Sequence, residues 1–176
     1  MDFQPQDLAF CADCSLEERA AAPLRGDDSG TFVGGAVIPK IALFTLGDRC
    51  FSLAVERIAH ILPMVQVFPF PALRQGLTGL FVDQDGAVPL FDLAPILGSE
   101  RASLARMSRY LVIYGAELGN IGLPADKVLQ MVGRDQGKLL ETAEIPGKMN
   151  LTTIFVVNGV GYPLLDVDAL LTTLPD

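Results

Sequence analysis

An internal repeat constrains this chain more than any single motif. From Gly79 to Leu97, two short apolar runs flank Asp83-Gln84-Asp85-Gly86, which is strong turn chemistry. The same design returns near the C-terminus, where Ile154-Phe155-Val156-Val157 leads through Asn158-Gly159 to Tyr162-Pro163-Leu164-Leu165-Asp166-Val167. With Pro89 set on Pro163, Leu90, Asp92, Ile96 and Leu97 fall on Leu164, Asp166, Leu170 and Leu171 without a gap, and Phe81 falls on Phe155. A second match lies upstream. Leu53-Ala54-Val55-Glu56-Arg57-Ile58 aligns with Leu123-Pro124-Ala125-Asp126-Lys127-Val128, acid followed by base in both. The two offsets are 74 and 70 residues. Two matches in one order indicate a duplicated unit, and a repeat constrains the whole architecture. The competing explanation is that amphipathic hairpins look alike without duplication.

Composition narrows what a duplicated chain of this size does. With 176 residues, 50% of them hydrophobic and 19% charged, there is apolar material for a substantial core. The net charge of −8 disfavours a broad attraction to nucleic acid or anionic lipid. The densest basic stretch, Arg101 to Arg109, holds three arginines among Ser and Ala. No apolar run approaches the length a bilayer requires, so no direct membrane insertion is expected. Asp2 and Asp7 stand where a secretory signal would carry its basic region. The expectation is a soluble cytoplasmic protein, and three cysteines, an odd count, fit a reducing compartment.

Read in order, residues 1–40 form a flexible N-terminal extension, with capping-box spacing at Ser15-Leu16-Glu17-Glu18 and a stop at Pro23. Ile41 to Leu46 and Cys50 to Val55 read as a hairpin. Glu56 to Leu62 reads as a third strand, with a helical turn as the alternative. Pro63, Pro69 and Pro71 forbid a central strand between Pro63 and Gly76. Gly79 to Val82 and Ala87 to Leu90 make the next hairpin, and Gly98 closes a helical turn. Ser99 to Ser108 reads as a linker or short helix. The second copy opens with Tyr110 to Tyr114, continues through Asn120 to Leu123 and Asp126 to Val132, and crosses a long polar loop from Gly133 to Asn150. A short helix from Asp168 to Leu171 ends it.

About five short strands per copy leave no room for crossover helices, so neighbours are antiparallel and joined by tight turns. Five such strands hide their edges best by curling into a barrel. The expected architecture is all-β: a first β-barrel subdomain over residues 41–98, and a linker with a second over 99–176, pressed together. Val88, Leu90, Tyr162 and Leu164 are the candidate inward-facing residues.

Reactive chemistry is poorly supported. Cys11 and Cys14 make one CxxC; a zinc site needs four ligands, and only Cys50 and His60 remain, on separate elements. His60 is the sole histidine, and no nucleophile elbow or phosphate-binding loop accompanies it. Asp92 and Asp166 hold equivalent places in the repeat, which suits a shared structural task such as bonding backbone N–H groups at a strand end. No catalytic residue, cofactor or metal is expected. The alternative is a small-ligand or metal-binding barrel with Cys11, Cys14 and His60 as its chemical handles.

Several of these stretches resemble, in order and spacing, the chemotaxis coupling-protein (CheW-like) family. They are Phe51 to Ile58, Pro69-Phe70-Pro71, Gly79-Leu80-Phe81 and Pro89-Leu90-Phe91-Asp92-Leu93 in the first half. Gly122-Leu123-Pro124-Ala125-Asp126-Lys127-Val128 and Leu164 to Leu171 continue them in the second. The resemblance covers about Ile41 to Leu171 and implies two SH3-like β-barrels with no catalytic activity. It implies a stand-alone adaptor that bridges chemoreceptor cytoplasmic tips to the regulatory domain of a CheA-type histidine kinase. It places the partner-binding surface on His60, Leu62, Asp83 and Gln84. Where the family usually has Asn-Leu-Arg-Gly, this chain has Val82-Asp83-Gln84-Asp85, so a neutral amide between two acids replaces a guanidinium. His60 falls where many members carry an acid. Both departures imply a divergent adaptor, in chemotaxis or in a pilus-linked or other specialised chemosensory system.

Overall fold

Two matched hairpins, each apolar on both faces, set the arrangement of everything else. The structure is a computed structural model of the chain that describes residues 9–10, 39–47, 49–63, 65–69, 76–83, 86–94, 96–98, 110–116, 119–141 and 151–173. Its strands are β1 (Ala9–Phe10), β2 (Lys40–Leu46), β3 (Arg49–Ala54), β4 (Ile58–Pro63), β5 (Phe68–Pro69), β6 (Leu77–Asp83) and β7 (Gly86–Phe91). The second half holds β8 (Tyr110–Ala116), β9 (Gly119–Ala125), β10 (Lys127–Gly133), β11 (Lys138–Glu141), β12 (Thr153–Val157) and β13 (Val160–Pro163). One helix, α1 (Val167–Thr173), follows, and 3-10 turns occupy Val55–Arg57 and Arg134–Gln136.

The repeat is present in the pairing itself. In β6–β7, Leu80, Phe81, Val82 and Asp83 face Pro89, Val88, Ala87 and Gly86. In β12–β13, Ile154, Phe155, Val156 and Val157 face Pro163, Tyr162, Gly161 and Val160. Each pair is the other displaced by 74 residues. The β2–β3 hairpin (Ile41 on Ala54, Leu43 on Ser52, Thr45 on Cys50) recurs 70 residues later in β8–β9 as Leu111 on Pro124, Ile113 on Gly122 and Gly115 on Asn120. Even the irregularities match: the register shifts between Ile58 and His60 in one half and between Val128 and Gln130 in the other. Pro89 and Pro163 therefore hold the same place. Turn chemistry supports the register, since Asn158 (φ 52°) and Gly159 (φ 78°) both adopt the left-handed conformation that a two-residue hairpin requires.

The sheets do not follow the halves of the chain. The six-stranded sheet runs β4-β8-β9-β7-β6-β5, so it takes its central hairpin, β8–β9, from the second copy. The other barrel takes β2–β3 from the first copy: β10-β2-β3 meets β1-β13-β12-β11 through a parallel bridge between Ser52 and Leu164. The equivalent parallel contact in the six-stranded sheet is Leu90 on Gly122. A boundary at residue 98 thus divides the sequence but not the barrels. The physical reason lies in the exchanged hairpins, which are apolar on both faces and must be covered on both. Ile41, Leu43 and Cys50 point into the second barrel with Phe155, Val157 and Tyr162. Phe44, Leu46, Phe51 and Leu53, on the opposite face, join Val112, Tyr114, Ile121 and Leu123 in one large core between the barrels. A smaller core, Phe81, Val88 and Leu90, fills the first barrel.

Local expectations are met in part. Glu56 to Leu62 contains both the helical turn and the strand. Phe68–Pro69 is a strand, but an edge strand of two residues, which proline permits. The polar stretch after Gly133 includes a strand, β11, that pairs with β12. Ala9–Phe10, in the expected flexible extension, pairs in parallel with Val160–Gly161 of β13. The helix expected after Ser15 and the linker from Ser99 to Ser108 lie outside the described residues. Val88, Leu90 and Tyr162 are buried as expected, whereas Leu164 is only partly so.

Leu53 (1% exposed) and Leu123 (4%) occupy equivalent positions in the shared core. Leu53→Ala and Leu123→Ala are each expected to cost about 2–5 kcal/mol in a urea unfolding curve followed by circular dichroism. Both curves are expected to remain single transitions, because the core each variant damages belongs to both barrels.

Candidate functional site

The side chains that the sequence marks for partner contact meet at the seam of the six-stranded sheet. β4 and β5 are the sheet's two outer strands, and the His60–Asp83 contact joins β4 to the end of β6. Alternation along β4 sets the result. Leu62 packs inward on Phe81, Val88 and Leu90 together with Val67. His60, an exposed residue, holds Asp83 across the seam, with Nε2 to Oδ2 at 3.3 Å. The side chains are 45% and 24% exposed, so the pair is weak as an energetic tie and open to other proteins. Val65 and Phe68, before and in β5, and Val82 on β6 are exposed at 37%, 48% and 66%. Three of the four expected residues, His60, Leu62 and Asp83, thus share one seam; Gln84 lies outside the described residues.

The equivalent acids have the structural task expected of them. Asp92 Oδ1 accepts the N–H of Ala94 at 3.0 Å, and Asp166 Oδ1 accepts that of Ala169 at 3.1 Å. The second bond satisfies an orphan donor in the first turn of α1. Ser52, fully buried, directs its hydroxyl at the carbonyls of Tyr162 (3.1 Å) and Pro163 (3.2 Å), which ties β3 to β13.

A polar cluster that sequence reasoning missed lines a cleft between the barrels. Arg57, from the 3-10 turn, reaches the Asp168 carboxylate of α1 through Nη2 and donates through Nε to the Tyr114 hydroxyl at 3.2 Å. That hydroxyl donates to Asp168 Oδ2 at 3.0 Å, and the guanidinium carbon stands 5.1 Å from the Tyr114 ring centre. The three residues come from distant parts of the chain, and no local pattern connects them. With Leu151, Leu165, Asp166 and Ala169 they border a cleft of about 490 Å³. Burial pushes the Tyr114 phenol above its ordinary pKa, with Asp168 adding to the rise and Arg57 opposing it.

Cys11 and Cys14 lie outside the described residues. Cys50 is buried in the second barrel and disulfide-bonded, which departs from the reading of the odd cysteine count as that of a reducing compartment, while His60 belongs to the other barrel. Among the described residues no group of three His, Cys, Asp or Glu could hold a metal ion, and no helix is long and apolar enough to cross a membrane.

The Tyr114 shift has a definite sign. A group that holds its proton more tightly when folded contributes stability that is fully present below the unfolded phenol pKa, near 10. That contribution is lost as pH rises through the folded value. Wild-type protein is therefore expected to lose stability more steeply above pH 10 than Tyr114→Phe does, in urea melts at stepped pH. Equal slopes would contradict the assignment.

The fold has known counterparts. No curated protein matches the chain. Among solved structures, that of the scaffolding protein TtCheW from Thermoanaerobacter tengcongensis superimposes with a TM-score of 0.62 at 15% identity, covering 76% of this chain and 92% of that one. The two barrels are accordingly SH3-like. The model of the CheW-like domain matches residues 40–174. The chain belongs to the CheW-like domain family.

Proposed function

We propose that this protein is a non-catalytic, cytoplasmic adaptor of a chemosensory system, which couples chemoreceptor cytoplasmic tips to the regulatory domain of a CheA-type histidine kinase. The observation that carries the reading is the match of a CheW-like domain model along residues 40–174, on a fold whose polar residues serve structural ends. The seam of the first barrel supplies a surface suited to protein contact. Exposed Val65, Phe68 and Val82 offer apolar area beside the His60–Asp83 pair. Polar groups around such a patch fix orientation and partner choice more than they raise affinity. With a net charge of −8, the chain steers toward basic or neutral partner surfaces rather than acidic ones.

Asp83 and Gln84 stand where the family's arginine-containing motif falls. An acid and an amide accept or donate to a different set of groups than a guanidinium does. The partner of this adaptor therefore presents a basic or neutral polar group at that point, which suits a specialised receptor or kinase rather than one that reads an arginine.

Titration calorimetry of the purified chain with the cognate kinase regulatory domain, and with a soluble receptor-tip fragment, tests the proposal. Binding in the micromolar range, about −8 kcal/mol, is expected for at least one of them. Asp83→Lys is expected to weaken it about tenfold, as reversal of a charge at an interface does. The absence of heat with both partners at high micromolar concentration would contradict the adaptor role.

A further inference from the structure

The duplication exposes a strand edge that one copy covers and the other leaves open. In the second barrel β13 has two neighbours on one side: Ser52 of β3 beside Leu164, and β1 beside Val160–Gly161. In the first barrel the equivalent strand is β7, and Leu90 meets Gly122 of β9 as Leu164 meets Ser52. The counterparts of Val160 and Gly161 are Gly86 and Ala87. Among the described residues these two pair with β6 and with nothing on the other side. Burial records the difference. Gly161 is buried and Val160 half-buried, whereas Gly86 and Ala87 are both exposed.

Hydrogen-bond alternation shows which groups the open edge presents. Leu164 N–H bonds Thr153 on the β12 side, and Leu165 N–H bonds Ser52 on the opposite side. Along an antiparallel strand the bonding direction reverses at each residue, so Gly161 turns its N–H and C=O toward β1. The same register in the first barrel turns those of Ala87 away from β6, toward solvent. The side chains agree. Val82, opposite Ala87, is 66% exposed, the most exposed large hydrophobic residue among those described; its counterpart Val156 is half-buried.

We propose that the β7 edge at Gly86–Ala87 is a docking site for an extended segment of another protein, which adds as a parallel strand. The chain has one N-terminal segment and two equivalent edges, and Ala9–Phe10 is engaged at β13. Among the described residues no strand of the chain covers the other edge, which leaves it for a strand supplied from elsewhere. Backbone bonds to Ala87 give such a strand its affinity, and side-chain contact with Val82 gives it preference. The segment that fits resembles Ala9–Phe10, apolar at two successive positions. Its flanks are basic, because Asp83 ends β6 and Asp85 follows in the sequence of a chain with net charge −8. This inference does not depend on which protein supplies the strand, nor on the chemosensory reading.

The test uses the full chain, labelled with 15N, and a synthetic peptide that reproduces residues 8–10 between lysine pairs. Amide shifts are expected at Gly86, Ala87 and Val88. Ala87→Pro removes the outward N–H without touching the bonds to β6, and Val82→Ser removes the exposed apolar contact. Each is expected to weaken peptide binding about fivefold or more. Val82 is largely exposed, so its variant keeps the test decisive if Ala87→Pro fails to fold. Shifts confined to Val160–Gly161, unchanged affinity in Val82→Ser, or no shift at millimolar peptide would overturn the proposal. Self-association mapped to Gly86–Val88 without peptide would assign the edge to a second copy, and would overturn it too.

Discussion

The apolar character of both faces of the β2–β3 and β8–β9 hairpins is the constraint from which the rest follows. A strand with one apolar face needs one cover; a strand apolar on both needs two. Each hairpin finds its second cover in the other half of the chain. Phe44, Leu46, Phe51 and Leu53 from one hairpin and Val112, Tyr114, Ile121 and Leu123 from the other form a common layer, so neither barrel has a complete core alone. A five-stranded unit of this size buries little by itself. Sharing a layer raises the buried fraction of both and makes their stabilities interdependent.

Polar groups in this fold join elements that the core does not fix. Ser52 holds β3 to β13 inside the second barrel. Asp92 and Asp166 bond the backbone just beyond equivalent strands. Arg57, Tyr114 and Asp168 connect the turn before β4 to α1, across the cleft between the barrels. Because Arg57 leads directly into Ile58 and β4, the cluster also sets where His60 and Leu62 sit. The seam is therefore positioned from the inter-barrel layer outward.

The repeat was legible in the sequence because its turn residues and prolines sit at fixed offsets, and register follows from them. Pro89 and Pro163 mark equivalent positions in paired strands. The exchange of hairpins was not legible. Phe51 to Leu53 are as able to pair within their own half as across, and the choice is made by burial of a second face that no local pattern records. β11 was missed because Lys138-Leu139-Leu140-Glu141 shows neither alternation nor β-branched residues. β1 was missed because two residues carry no periodicity. The seam residues His60, Leu62 and Asp83 came from family resemblance, and the Arg57–Tyr114–Asp168 cluster had no sequence signal, since its members are brought together only by the cross-paired sheets.

Each barrel is built from both halves of the chain. Through-space proton contacts between backbone groups measure it directly. Cross-strand contacts are expected between Phe44 and Val128, and between Ile58 and Tyr114. Contacts that instead pair Phe44 with Ile58, and Tyr114 with Val128, would show two self-contained barrels and contradict it.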